Sequence, residues 1–168
     1  MKKQNKYICK IATIKEIEER WNEETKDNNS LYLSVKKIYI EEVQKKNRIV
    51  YIGKLNNKII CDATAIIKKE GLKNEAKSSD NLINSQRAYL CTFRTDKEYE
   101  NKGYFSRLYK FMENDLKNRG FKEFTLSVNT NNKRCLNIYH SWNYNHFIRT
   151  EVKLVNNQIY IFNYYLKK

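Results

Sequence analysis

The chain has 168 residues, a formal net charge of +14, 40% hydrophobic and 13% aromatic residues, four glycines and no proline. That length suits one domain, 1–168, with a hydrophobic core of its own, and the aromatic content excludes wholesale disorder. No apolar run approaches the roughly 20 residues of a membrane span, the basic start lacks the apolar segment of a signal peptide, and a cytoplasmic protein is expected.

In chain order, "KYICKIATI" (6–14) reads as a first strand. In "TIKEIEERWNEET" (13–25), Thr13 and Glu16 have capping-box spacing, and Ile14, Ile17 and Trp21 recur at helical intervals. "DNNS" (27–30) breaks that helix, and "LYLSVKKIYIEEVQKK" (31–46) forms a second, with Val35, Tyr39 and Val43 on one side. "NRIVYIGKLNNKIICDATAIIKK" (47–69) is a hairpin turning at Asn56-Asn57. The polar stretch 70–86 reads as a long mobile connection, followed by a strand at "RAYLCTFRT" (87–95). Phe105, Leu108, Met112 and Leu116 then mark a helix that begins near Tyr104 and stops at Gly120. "KEFTLSV" (122–128) alternates as a strand, with Phe124, Leu126 and Val128 on one face. Cys135, Ile138, Tyr139 and Trp142 place a helix over 131–142, capped by Asn131 or Asn132. "HFIRTEVKLV" and "QIYIFNYYL" close the chain as a hairpin through Asn156-Asn157. The order β-α-α-β-β-β-α-β-α-β-β predicts a mixed sheet with helices on both faces.

Cys9, Cys61, Cys91 and Cys135 lie far apart in apolar segments, and only His140 and His146 could assist them. They read as free buried thiols rather than metal ligands. The scattered lysines fit a compositional bias and selection for an anionic partner equally well. One reading they leave open is a basic module that binds single-stranded nucleic acid through cations and tyrosines.

Gly103 raises a sharper question. It stands beside Lys102 at the start of a helix, where the first N–H groups have no internal partner and the helix dipole is positive. That arrangement suits an anion, with a phosphate as the usual guest; taken alone, it better suits a plain helix cap.

The blocks "TDKEYENKGYFSRL", "NRGFKEFTLSV" and "NKRCLNIYHSWNY" occur in order between Leu90 and Tyr144. Their sequence and spacing resemble the GNAT superfamily of N-acetyltransferases. The resemblance implies an α/β fold with a mostly antiparallel central sheet, helices on both faces and splayed central strands. It implies acetyl-CoA as acyl donor, with its pyrophosphate on the loop of Asn101, Lys102, Gly103, Tyr104 and Phe105, followed by Ser106. The pantetheine arm would run along Phe93, Arg94 and Thr95, with Asn132 and Tyr139 near the thiol. Tyr139 would then protonate the leaving thiolate, although its place on an apolar helix stripe also fits core packing. Three positions depart from the family pattern. Glu100 must turn outward or pair with Lys97 or Lys102, Phe105 must point into the core, and Asn143-Tyr144 replaces Gly-Phe.

The implied reaction is direct attack of a primary amine on the thioester. Asp62, Asp96, Glu41, Glu42 and Glu151 are candidate bases, and water is another; a Cys91 or Cys135 nucleophile is disfavoured for want of a histidine partner. The acceptor pocket would come from residues 20–46 and 145–165, which hold no acidic cluster. The expected acceptor is a small amine, not strongly cationic, that also carries an anionic or neutral group; a protein amine is a further option. An acyl-CoA sensor without turnover is the other alternative. Relatives dimerise through sheet edges, but no exposed apolar stripe is evident that demands a homodimer.

Overall fold

Thr13 and Glu16 form the predicted capping box: the Thr13 N–H donates to Glu16 Oε2 at 3.0 Å, and the Glu16 N–H donates to Thr13 Oγ1 at 3.3 Å. The computed structural model describes residues 6–24, 30–73, 75–155 and 157–168. Its strands are β1 (Tyr7–Ile11), β2 (Arg48–Leu55), β3 (Lys58–Ile66), β4 (Arg87–Thr95), β5 (Glu123–Asn129), β6 (His146–Val155) and β7 (Gln158–Lys167). Its helices are α1 (Ile14–Glu24), α2 (Ser30–Gln44), α3 (Tyr104–Asn118) and α4 (Lys133–Ser141). The order matches the sequence pattern throughout. Asn56 and Asn57 both take positive φ, as a tight hairpin turn between twisted strands requires. Asn156, half of the second predicted turn, lies outside the described residues, while Asn157 is left-handed at φ 60°.

The strands form one sheet in the order β1-β2-β3-β4-β5-β7-β6. Every pair is antiparallel except β4 with β5, which are joined across α3 as a parallel pair must be. The β4–β5 ladder ends at Leu90 opposite Leu126. Beyond that point β4 stays paired to β3 as far as Thr95, and β5 stays paired to β7 as far as Asn129. The sheet therefore forks in its middle. At the fork β4 carries a bulge: Thr92 and Phe93 together face Ala63, and Thr92 is left-handed at φ 53°.

Alternate residues of β2 feed opposite layers. Val50 and Ile52 pack under Ile17, Trp21 and Tyr39 of α1 and α2. Ile49 and Tyr51 pack under Leu108, Tyr109, Met112 and Leu116 of α3. Helices thus cover both faces, as expected. Arg20 of α1 is buried and donates to Asp62 at 2.8 Å and Asp96 at 2.6 Å, while Arg94 donates to the other side of Asp62 at 2.8 Å.

Two expectations are corrected. The stretch 70–86 is no loose connection: it opens with a 3-10 turn at Lys69–Leu72. Its Leu72, Leu82 and Ile83 bury against Ile66, Tyr89 and Tyr164, because three apolar side chains in a polar stretch suffice to anchor it. An apolar strip is also exposed on the last hairpin, where Leu154 and Ile159 face each other across β6 and β7 at 70% and 71% exposure. Among the described residues no helix is long and apolar enough to cross a membrane.

Candidate active site

Where β4 and β5 part, the main-chain pairing that would close a continuous sheet ends, and two clefts open back to back. The first has a volume of about 500 Å³ and lies between the end of β4, the start of α3 and α4. The second, of about 380 Å³, lies between β4, β5, the last hairpin and Glu75. Phe93, Asn132, Cys135 and Tyr139 line both, so they form the wall and the passage between them.

The first cleft collects most of the residues singled out in the sequence. Phe93, Thr95, Asn101, Gly103, Tyr104, Phe105, Ser106, Asn132 and Tyr139 all line it. Two do not. The Arg94 side chain leaves on the other face of β4, onto Asp62 and over the Trp21 ring at 4.6 Å, as strand alternation dictates. Lys102 is exposed, with its Nζ 5.7 Å from the centre of the Tyr99 ring.

Gly103 is the N-cap of α3 and is left-handed at φ 77°, with no side-chain cap on that helix end. A methyl group built on it would meet nothing within 4 Å, so the space in front of it belongs to the cleft. The unpaired amides that open α3 are therefore accessible from the cleft. The helix start is pinned from behind, where Tyr7 Oη donates to the Tyr104 carbonyl at 2.8 Å.

Glu100 pairs with neither Lys97 nor Lys102. Its partner is Arg134 of α4, which donates to Glu100 at 3.1 Å and to Asn101 Oδ1 at 3.0 Å. That bridge ties α4 to the loop at the cleft's mouth and neutralises the acid the loop carries. Sequence reading missed Arg134, because nothing in its neighbourhood shows that α4 packs beside residue 100.

The floor is aromatic. The Phe105 ring lies 5.2 Å from Phe93 and stacks on Trp142 at 6.1 Å, which explains a large residue where the family has a small one. Asn132 caps α4 by accepting from the Cys135 N–H at 3.0 Å. Asn143, which stands where the family pattern has glycine, takes the left-handed conformation at φ 70°. Tyr139 packs edge-on to Phe93 at 5.9 Å. Burial, and after it the Cys135 thiol, push its phenol above the ordinary value.

The second cleft contains little of what the sequence suggested. None of the described residues of 20–46 lines it, whereas the last hairpin contributes Lys153 and Phe162. None of the five proposed carboxylate bases lines either cleft. Asp62 and Asp96 are held by Arg20, Glu42 accepts from Asn47 at 2.8 Å, and Glu151 accepts from Tyr164 Oη at 2.9 Å and from Arg149 at 2.7 Å. Glu75 does line the cleft, and Arg48 holds it at 3.0 Å. Cys91 also lines it, and burial, followed by the Glu75 charge, pushes its thiol well above the ordinary value. Among the described residues no group of three or more His, Cys, Asp or Glu side chains could hold a metal ion.

A model of the acetyltransferase (GNAT) family matches residues 11–144. Among solved structures, an N-acetyltransferase from Staphylococcus aureus Mu50 is 11% identical over 96% of this chain and 97% of its own, with a TM-score of 0.69. A spermidine N-acetyltransferase chimera from Vibrio cholerae and hSSAT is 11% identical, with 96% and 94% covered and a TM-score of 0.66. A ribosomal L7/L12 alpha-N-protein acetyltransferase in complex with coenzyme A is 12% identical, with 96% and 93% covered and a TM-score of 0.67. At such identities these likenesses speak to the fold alone. No curated protein sequence matches the chain significantly.

Proposed function

The chain belongs to the acetyltransferase (GNAT) family, and from that premise we propose that it transfers the acetyl group of acetyl-CoA to the primary amine of a small, not strongly cationic molecule. The carrying observation is the pair of clefts that share Phe93, Asn132, Cys135 and Tyr139 at the fork of the sheet. One cleft takes the donor, the other the acceptor, and the reacting atoms meet at the shared wall.

The first cleft fits the donor on its own geometry. The open space at Gly103 and the uncapped start of α3 suit a diphosphate. Arg134 offsets the Glu100 charge at the mouth, and the fork leaves the β5-facing edge of β4 beyond Leu90 without a strand partner, as a pantetheine arm requires. When bound, acetyl-CoA supplies an activated acetyl thioester and a thiolate leaving group. Tyr139, kept protonated by its burial, holds a proton at Oη for that thiolate. The bulge at Thr92 and Phe93 frees main-chain amides from the β3 ladder to polarise the acetyl carbonyl. Burial holds the Cys91 thiol above its ordinary value, and no histidine among the described residues lines the cleft beside it, which favours direct attack by the amine. With Glu75 and Glu151 both engaged by arginines, the proton from the incoming ammonium passes to water.

Calorimetric titration of acetyl-CoA, beside dephospho- and desulfo-CoA, is the test, joined to an amine screen that reads thiol release. Micromolar binding that weakens without phosphates, with product from at least one amine, is expected. Binding without product from any amine would make the protein an acyl-CoA sensor. No binding at millimolar cofactor, with salt-sensitive oligonucleotide binding instead, would favour the nucleic-acid module.

A further inference from the structure

We propose that the acceptor carries a carboxylate in addition to its amine, and that the Lys153 ammonium is the group that receives it. This rests on reading the second cleft as the acceptor side. The argument is one of charge and of partners. Among the described residues one carboxylate, Glu75, lines this cleft, and Glu151 stands two residues from Lys153 on β6; an arginine has each of them: Arg48 is 3.0 Å from Glu75 Oε1, and Arg149 is 2.7 Å from Glu151 Oε1. The charge of each carboxylate is already matched by an arginine, and this disfavours a polyamine.

Lys153 is placed differently. It lines the cleft from β6, half-buried, and its Nζ donates to the main-chain oxygen of Glu75. It lies 5.1 Å from the centre of the Phe162 ring and 6.0 Å from that of Tyr164. Among the described residues no carboxylate stands within ion-pair distance of it. An ammonium has three N–H donors, so a neutral carbonyl leaves capacity for an anion. Burial draws its pKa down; Glu151 and Glu75 oppose this, and Lys77 and Arg149 add to it. An incoming carboxylate would supply the missing negative charge in a site where water cannot fully screen it. The volume agrees with a small ligand: about 380 Å³ holds roughly a dozen non-hydrogen atoms at the ~30 Å³ each water takes in the liquid. Tyr139 lines the same cleft, so a molecule anchored on Lys153 sits in the space that leads to the shared wall.

The experiment compares N-acetylated forms of the common amino acids with their primary amides, as ligands of the CoA-saturated protein, by calorimetry. At least one wild-type pair is expected to favour the carboxylate by about tenfold or more. K153Q, or K153M if the first variant does not fold, should bring that ratio close to one, and K153R should keep most of it. No carboxylate preference in any wild-type pair, or a preference that survives K153Q, overturns the proposal. Failure of the acetyltransferase reading is scored separately, from acetyl-CoA binding and thiol release in the same preparations, because product-side binding needs no turnover.

Discussion

Gly103 and Gly120 provide an internally controlled test of the donor site. Both are left-handed, at φ 77° and 96°, and at both an added methyl group would meet nothing within 4 Å. They flank the same helix, but only Gly103 lines the first cleft. Gly103→Ala and Gly120→Ala should therefore share one cost, about 1–2 kcal/mol for an L side chain in the left-handed region. For a chain of this length that lowers Tm by roughly 2–8 °C, read by circular dichroism. The affinity for acetyl-CoA should separate them. On the proposed placement of the donor, a methyl at Gly103 stands where the phosphates approach the α3 amides, and losing one charge-assisted hydrogen bond costs about 1.5–3 kcal/mol. At 1.4 kcal/mol per decade this is about a 10- to 150-fold rise in Kd, measured by calorimetry. Gly120→Ala should leave Kd within about twofold. Gly103→Asn divides strain from obstruction, because asparagine tolerates this conformation yet still fills the space; it should melt close to wild type and bind weakly. If Gly103→Ala and Gly120→Ala weaken binding equally, or neither does, the phosphates do not sit at Gly103.

Three further outcomes follow from the same geometry. Tyr139→Phe keeps the ring contacts with Phe93, Trp142 and Tyr144; it should lower kcat about 100-fold at unchanged Tm and acetyl-CoA affinity, and an unchanged kcat would make Tyr139 a core residue only. Glu100→Gln releases Arg134 from its carboxylate partner, so acetyl-CoA should bind several-fold more tightly at low salt, with the gain fading as salt screens it; weaker binding would mean that Glu100 orients Arg134. Burial pushes the Glu16 carboxyl upward, but hydrogen bonds from Thr13, Lys54 and Lys10 outweigh it and hold the pKa near 2, below the ordinary 4.5. Its share of stability is thus present above pH 4.5 and lost as pH falls towards 2, and Glu16→Gln should flatten the acid limb of a Tm-against-pH curve between those values.

The elements were legible because local rules set them. Thr13 with Glu16, Asn56 with Asn57, and the Phe105–Leu116 stripe each carry their signal within a few residues, and each element lies where that signal puts it. The segment 70–86 was misread for the same reason. Its polar residues dominate any window, while Leu72, Leu82 and Ile83 gain their partners only from Ile66, Tyr89 and Tyr164 across the sheet.

The two clefts differ in the same way. The first cleft, which we propose for the donor, takes the larger part of its lining from one continuous stretch, Phe93 to Ser106, in which the end of a strand, a glycine and the start of a helix follow one another along the chain. Such a site leaves a motif. The second cleft, which we propose for the acceptor, is assembled from Glu75, Cys91, Ser127, Lys153 and Phe162, which only the strand order and the fork bring together. Its partner choices are equally nonlocal: Arg48 reaches Glu75 from β2, and Lys153 reaches the Glu75 main chain from β6. Where Lys153 points depends on the register that sets Glu151 opposite Phe162 and Lys153 opposite Tyr160. A slip of one residue would turn Lys153 away from the cleft and bring its neighbours round instead. Family resemblance therefore reaches the proposed donor cleft through a motif, whereas the proposed acceptor cleft is encoded in the register of the last hairpin and in the anchoring of Leu72, Leu82 and Ile83, and these can change while every residue of the motif stays in place.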